Sequence, residues 1–248
     1  LTKEAEQSLE NSANVSAKYI ENAMERQRDS LALLTTSDSV KSMNFEKQKE
    51  ILETQIGNSI FLELGILTED GNVVCISSGE SFGLTETDML RRSLIGNLGV
   101  VTVGVNPTNN QRFLIKDESE QIFGSLLCYV DIISLTNLAK ESGAQNGYIV
   151  DGTGDTLAHN EVGRVYGGYN IFEEAKKDEE LEDFSKAIET FVSEKNGIGQ
   201  YKLGEDNIYA GYNLVLGTDW IFVETIVEDE MLQSVSELKK QLIVATVF

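Results

Sequence analysis

In the first 34 residues the polar and apolar positions follow a helical period. Leu9, Ala13, Ser16, Ile20, Ala23, Gln27, Leu31 and Leu34 recur at alternating steps of three and four, and no Gly or Pro occurs from Lys3 to Leu34. The pattern predicts one long amphipathic helix, about 45 Å in extent. Ser16 and Gln27 leave its seam only half apolar. That suits a helix lying along a domain or a weak dimer partner better than a tight coiled coil. An ordinary packing helix is the alternative; a length beyond about 25 residues speaks against it.

Further on, the period shortens toward two. Leu62 to Thr68, Val73 to Ser77, Gly99 to Val105, Arg112 to Lys116 and Phe123 to Asp131 are short runs rich in β-branched and aromatic residues, bounded by Gly, Asn and Asp. They predict five strands of an antiparallel sheet. A second set follows at Tyr148 to Asp151, Thr156 to His159, Gly199 to Leu203, Ile208 to Leu214 and Trp220 to Ile226. Helices are predicted between them at Ile171 to Lys177 and Leu181 to Glu194, where Phe184, Ile188, Phe191 and Val192 mark a buried face.

The two sets repeat one theme. Ile66 to Val74 matches Ile149 to Leu157 at a constant offset of 83, each a strand, a glycine turn and a strand. Gly124 to Asp131, followed by Leu135, matches Ile221 to Glu228, followed by Leu232, at an offset of 97. An opening hairpin and a long closing strand that runs into a helix, twice over, imply two modules of one architecture.

Composition narrows the function. The chain has 248 residues, 41% of them apolar, enough to bury a core. Twenty basic against 41 acidic residues give a net charge of −21, which repels phosphate backbones and speaks against nucleic-acid binding. With one histidine, His159, two cysteines 53 positions apart, and no C-x-x-C or H-E-x-x-H, no zinc or thiol-redox motif is present. The chain has no initiator Met and no signal segment, so we expect a piece of a longer protein. Leu242 to Phe248 is uncharged and unbroken by a helix stop, and reads as the opening of a membrane span or as a C-terminal core helix.

The order of long helix, module, second module and apolar exit resembles the double Cache sensor domains of bacterial transmembrane receptors. Gly147-Tyr148-Ile149-Val150-Asp151-Gly152-Thr153-Gly154-Asp155-Thr156-Leu157-Ala158-His159-Asn160 is similar to that family's membrane-proximal opening hairpin, with Asn160 in place of its usual Pro. Tyr209 to Val223, with Trp220 opening the last strand, resembles its closing hairpin. The resemblance implies an α+β fold, in which a long N-terminal helix precedes two PAS-like modules with antiparallel sheets and a C-terminal helix leads to a membrane span. The implied domains are the helix at 1–40, a membrane-distal module at 41–140, a membrane-proximal module at 141–228 and an exit helix at 229–248. Leu232, Val235, Leu238 and Leu242 would lead into the span.

The resemblance further implies a non-enzymatic, outward-facing domain anchored by flanking transmembrane helices. It would be a homodimer in the full receptor, with a small polar metabolite bound in the distal module and no cofactor. A methyl-accepting chemotaxis receptor is the first expectation; a histidine kinase or a diguanylate cyclase is the alternative. A membrane-anchored hydrolase and a structural or adhesive protein are the rivals of other classes. The hydrolase lacks any G-x-S-x-G elbow or Ser-His-Asp set. The proximal module is expected to be structurally necessary rather than the principal ligand site, with Trp220 buried.

Other motifs have plain readings. Asp151-Gly152-Thr153-Gly154-Asp155 spaces its oxygens like a calcium loop, but Thr156 and Val162 stand where Gly and the bidentate Glu belong, so a glycine hairpin is expected and no metal. His159 is expected to make a structural hydrogen bond. Gly163-Arg164-Val165-Tyr166-Gly167-Gly168 lacks the Lys-Ser/Thr of a phosphate loop and reads as a connector. In a Cache sheet the first strand would separate Cys75 from Cys128 by about 10 Å, which implies free thiols.

The candidate site lies on the closing strand of the first module. Alternation puts Tyr129 and Asp131 on one face, with Leu126, Cys128 and Val130 on the other. Asn106 in the preceding turn, and Arg112 or Phe113 on the neighbouring strand, complete the set; adjacent residues face opposite ways, so only one of that pair can face the cavity. Asp131 has two readings, ligand contact and helix cap. Family members that bind amino acids carry Arg-x-Trp-Tyr before the third strand and an Asp before the second module. Here Arg91 to Gly99 holds no Trp or Tyr, and Ser142 or a neighbour stands at the Asp position, which puts an α-amino, α-carboxyl clamp in doubt.

Overall fold

A computed structural model describes residues 2–57, 59–68, 70, 72–83, 100–102, 105, 106, 111–116, 119, 122–166 and 168–233. The long helix forms as the heptad-like seam predicts: α1 spans Thr2–Leu34. Leu9, Ala13, Ser16, Ile20, Ala23 and Leu31 are buried, while Gln27 and Leu34 are only half-buried. Ala17, Met24 and Arg28 are buried beside them, so the covered stripe is wider than the seam. Burial lowers the pKa of Arg28, against the pull of Glu25, Glu21 and Asp29. Two short helices follow, α2 at Asp38–Lys41, capped by Ser37, and α3 at Phe45–Gly57.

The chain divides into two compact units, one of residues 21–138 and 165–168, the other of residues 1–20, 139–164 and 169–248. The first holds β1 (Phe61–Thr68), β2 (Asn72–Cys75), β3 (Ser81–Gly83), β4 (Val100–Thr102), β5 (Val105–Asn106), β6 (Gln111–Lys116) and β7 (Ile122–Asp131), followed by helix α4 (Ile132–Glu141). Its sheet runs β3-β2-β1-β7-β6-β5, antiparallel throughout, with β4 also on β7. The second unit holds β8 (Gly147–Val150), β9 (Thr156–Ala158), the start of α5 (Val162–Tyr166), α6 (Ile171–Ala175), α7 (Glu182–Glu194), β10 (Asn196–Leu203), β11 (Asp206–Leu214) and β12 (Ile221–Val227). Its sheet runs β9-β8-β12-β11-β10, again antiparallel.

Without β3 and β4 the two sheets have one topology. An opening hairpin places its first strand beside the closing strand, and the remaining two strands follow outward. The repeat seen in the sequence is therefore a repeat of the fold. One detail of it fails: Leu135 is buried but its counterpart Leu232 is exposed, and Met231 fills the buried place instead. Residues 228–233 are helical, and the rest of the expected exit helix, with Val235, Leu238 and Leu242, lies outside the described residues. Among the described residues no helix is long and apolar enough to cross a membrane.

Three expectations need correction. The run from Gly99 to Val105 forms two strands rather than one, because β7 is longer than β6. β6 covers β7 from Ile122 to Leu126, and β4 takes the remaining edge at Tyr129 to Asp131. Asn106 ends β5, paired with Gln111, instead of lying in a turn. The stretch from Gly163 to Gly168 is not a plain connector, since α5 covers its first four positions.

The core of the second unit sits between its sheet and α7. Phe184, Ile188 and Phe191 pack with Tyr148, Val150, Tyr201, Tyr212, Ile221 and Val223. Phe191 stacks on Tyr212 at 4.1 Å between ring centroids. Lys195 closes α7 in the left-handed conformation at φ 72°, its N–H returned to the Phe191 carbonyl. Trp220, one residue before β12, is 2% exposed, as expected of an aromatic anchor.

Candidate functional site

The backbone of all five residues expected at the distal site lies in the first sheet. Asn106 pairs with Gln111 and Arg112 with Val105; Tyr129 pairs with both Thr102 and Glu63, and Asp131 with Val100. Phe113 pairs with Leu126, which puts it in register with Leu126, Cys128 and Val130. Arg112, one residue earlier, shares the register of Tyr129 and Asp131. Asp131 is the last residue of β7 and immediately precedes α4, the position of a helix cap. The side chains of these five lie outside the described residues, as does the whole of Arg91 to Gly99.

Glu63, directly opposite Tyr129, is a residue that sequence reasoning passed over. It is 3% exposed, and its Oε1 accepts from the Leu64 amide (2.9 Å), the Ser77 amide (3.1 Å) and the Ser77 hydroxyl (3.2 Å). A carboxylate so held ties the end of β2 to β1. Ser142 turns its hydroxyl back onto the Ala139 carbonyl at 2.6 Å, an ordinary helix-end bond.

The cysteines stand as the strand order implied. Gly65 pairs with Cys75 and Leu64 with Cys128, so β1 lies between them. Both thiols are free and buried; burial pushes Cys75 up to about 12 and raises Cys128 further. Neither is a thiolate near neutral pH.

In the second unit a cavity of about 290 Å³ opens between the sheet and its helices, lined by Tyr148, His159, Arg164, Tyr169, Phe184 and Tyr201 among others. Phe184 stacks on Tyr201 at 4.7 Å and meets Tyr148 edge-on at 6.5 Å. The fully buried Tyr148 hydroxyl makes no hydrogen bond of ordinary geometry; burial, and next the nearby Tyr201, raise its pKa. The cationic end of the cavity is already occupied: Arg164 Nε donates to Glu161 at 2.8 Å, and its guanidinium lies 5.5 Å from the Tyr169 ring centre. The cavity is at the small end of ligand sites, about 300 to 1,000 Å³.

His159 makes the structural bond expected of it. Its Nδ1 accepts from the Glu161 amide at 2.9 Å, so the neutral ring carries its proton on Nε2. Burial, and next Arg164, lower its pKa from the usual 6.5. A neutral histidine in the fold gives stability that is complete above the unfolded value and is lost as pH falls through the lower folded value. His159→Gln is therefore expected to flatten the rise of melting temperature with pH just below 6.5. Equal slopes for wild type and variant would contradict this.

The Asp151 turn is a hairpin. Asp151 Oδ1 accepts from the Thr153 amide and hydroxyl and from the Asp155 amide at 2.8 to 2.9 Å, and Gly154 takes φ +87° at a point where a Cβ would lie 2.5 Å from the Phe172 ring. Asp151 Oδ1, one of the oxygens in the calcium-like spacing, is thereby engaged by the turn. Among the described residues no group of three His, Cys, Asp or Glu side chains is placed to hold a metal.

No family model and no curated protein matches the sequence. Solved structures do. The ligand-binding domain of the Campylobacter jejuni chemoreceptor Tlp3, in complex with L-norvaline, is similar at TM-score 0.57 and 12% identity, over 93% of each chain. The ligand-binding domain of Mlp24 with asparagine is similar at TM-score 0.56 and 18% identity, over 95% of this chain and 98% of that one. The extracellular domain described as that of the histidine kinase vpHK1S-Z8 is similar at TM-score 0.59 and 13% identity, over 94% and 95%. The chain thus shares the fold of these three solved domains.

Proposed function

We propose that this chain is the outward-facing, ligand-binding sensor domain of a bacterial transmembrane signalling receptor, of the methyl-accepting chemotaxis class. The observation that carries the reading is the doubled sheet, whose two copies share one strand order behind one long helix. That is the architecture of domains solved with L-norvaline and asparagine bound. A histidine kinase is the second reading, favoured by the equal likeness to the vpHK1S-Z8 domain. In either receptor the chain binds without turnover, between two membrane-spanning helices and as a homodimer. The distal, ligand-holding role goes to the module at 41–140 and the proximal role to that at 141–228.

The ligand is a small polar metabolite. Tyr129 and Asp131, in one backbone register, would supply a stacking face and a carboxylate, Arg112 or Phe113 a guanidinium or a ring, and Asn106 an amide at the strand end. A carboxylate and a guanidinium together suit a ligand with both a donor and an anionic or acceptor group.

Asp131→Asn tests the site, because Asn keeps the shape and most of the capping ability of Asp. Ligand contact predicts binding weaker by about 1.5 to 3 kcal/mol in titration calorimetry, with the unliganded melting temperature little changed. Unchanged affinity would remove Asp131 from the site and leave it as a helix cap.

A further inference from the structure

We infer that the second unit carries a separate site for a small aliphatic amine, on the opposite face of its sheet from α7. Ile221 and Val223 of β12 point into the α7 core, so Phe222, Glu224 and Ile226 alternate to the other face, toward the first turns of α1. There a cleft of about 430 Å³ is bounded by Glu4, Ser8 and Ser12 of α1, by Gly143, Gln145 and Asn146, and by Glu224, Glu230 and Met231. Its size is that of a small-molecule site.

Glu224 makes this more than a patch of acidic residues. It is 7% exposed, and its two oxygens differ. Oε1 accepts from the Gln145 amide at 3.2 Å, and Oε2 is buried with no hydrogen-bond partner. The loop that holds Oε1 is itself fixed to β12, since Thr225 donates from its amide and its hydroxyl to the Asn146 carbonyl at 3.2 and 3.4 Å. A buried carboxylate oxygen without a partner is costly, and a cation in the cleft would remove that cost.

The lining selects the kind of cation. Three carboxylates, Glu4, Glu224 and Glu230, border the cleft, and none of the residues lining it is basic. A divalent metal is disfavoured, since among the described residues no three acidic or imidazole groups converge on one point. The rest of the wall is Ala5, Leu9, Ile226 and Met231, apolar surface that would cover a methylene chain. An ammonium offers three donors, enough for the Glu224 carboxylate and the serine hydroxyls of α1. A diamine or polyamine combines both features.

Titration calorimetry of the whole domain with putrescine and spermidine, and with 1,4-butanediol as the uncharged isostere, tests the site. Binding of the amines and none of the diol is expected. Glu224→Gln keeps the acceptor for Gln145 and is expected to weaken amine binding at least about tenfold. Glu4→Gln, at an exposed helix position, is the second variant and should weaken it several-fold without touching the core. Asp131→Asn should leave amine affinity unchanged, which separates this site from the distal one. No heat with either amine, equal binding of the diol, or wild-type affinity in a folded Glu224→Gln protein would overturn the inference.

Discussion

Trp220→Ala is expected to cost about 3 to 5 kcal/mol of folding stability, a fall in melting temperature on the order of 10 °C. The indole is 2% exposed at the point where the chain enters β12. Its backbone also holds the closing turn: the Val215 amide donates to the Trp220 carbonyl at 2.9 Å, and the Trp220 amide donates to the Thr218 hydroxyl at 3.0 Å. Truncation would leave a large cavity beside the central strand of the second sheet, which cannot collapse without moving that turn. Calorimetric or circular-dichroism melting of the variant checks it, and an unchanged melting temperature would contradict the placement of the core.

A second large effect is expected at Gly211, for the opposite reason. The glycine lies in β11 directly opposite Glu224, and α1 crosses the sheet there. A Cβ at this position would stand 2.5 Å from the Leu9 carbonyl oxygen and 3.0 Å from the Glu10 amide nitrogen, both backbone atoms that no rotamer change can move. Gly211→Ala should cost on the order of 1 to 3 kcal/mol and Gly211→Val more, as the helix is pushed off the sheet. Hydrogen exchange is the informative readout. Faster exchange is expected in residues 2–20, with protection of α7 retained. Wild-type exchange across α1 in Gly211→Val would show that the helix does not bear on the strand.

Most of the fold was legible because the elements that carry it obey local rules. The α1 seam, the alternating runs of β6 to β12 and the glycine turns between them reflect periods set by backbone geometry, and each found its element. What the sequence hid was decided at a distance. β3 is three residues with a single large apolar side chain, Phe82, and exists because β2 offers it an edge. The split between β4 and β5 follows from the relative lengths of β6 and β7, which no local pattern encodes.

The buried charges were hidden for a related reason. Arg28, Glu63 and Glu224 look solvated in sequence because charge ordinarily marks an exposed position. β12 is covered on both faces, by α7 and by α1, so its second face can bury a carboxylate. The signal was present in Phe222, an apolar residue two positions before Glu224 on the same face. Of the distal site, the shared register of Tyr129 and Asp131 was legible from alternation alone. The register of Phe113 with Leu126 needed the strand pairing.

The central claim is that this domain binds a small polar metabolite and leaves it unchanged. Melting of the purified domain against a metabolite library tests it most directly, since a ligand present at 100 times its Kd adds about 2.7 kcal/mol to folding stability. The account predicts at least one polar metabolite that raises the melting temperature, is recovered intact afterwards, and loses its effect in Asp131→Asn. A library in which nothing shifts the transition, or a hit that is chemically converted on incubation, would contradict it.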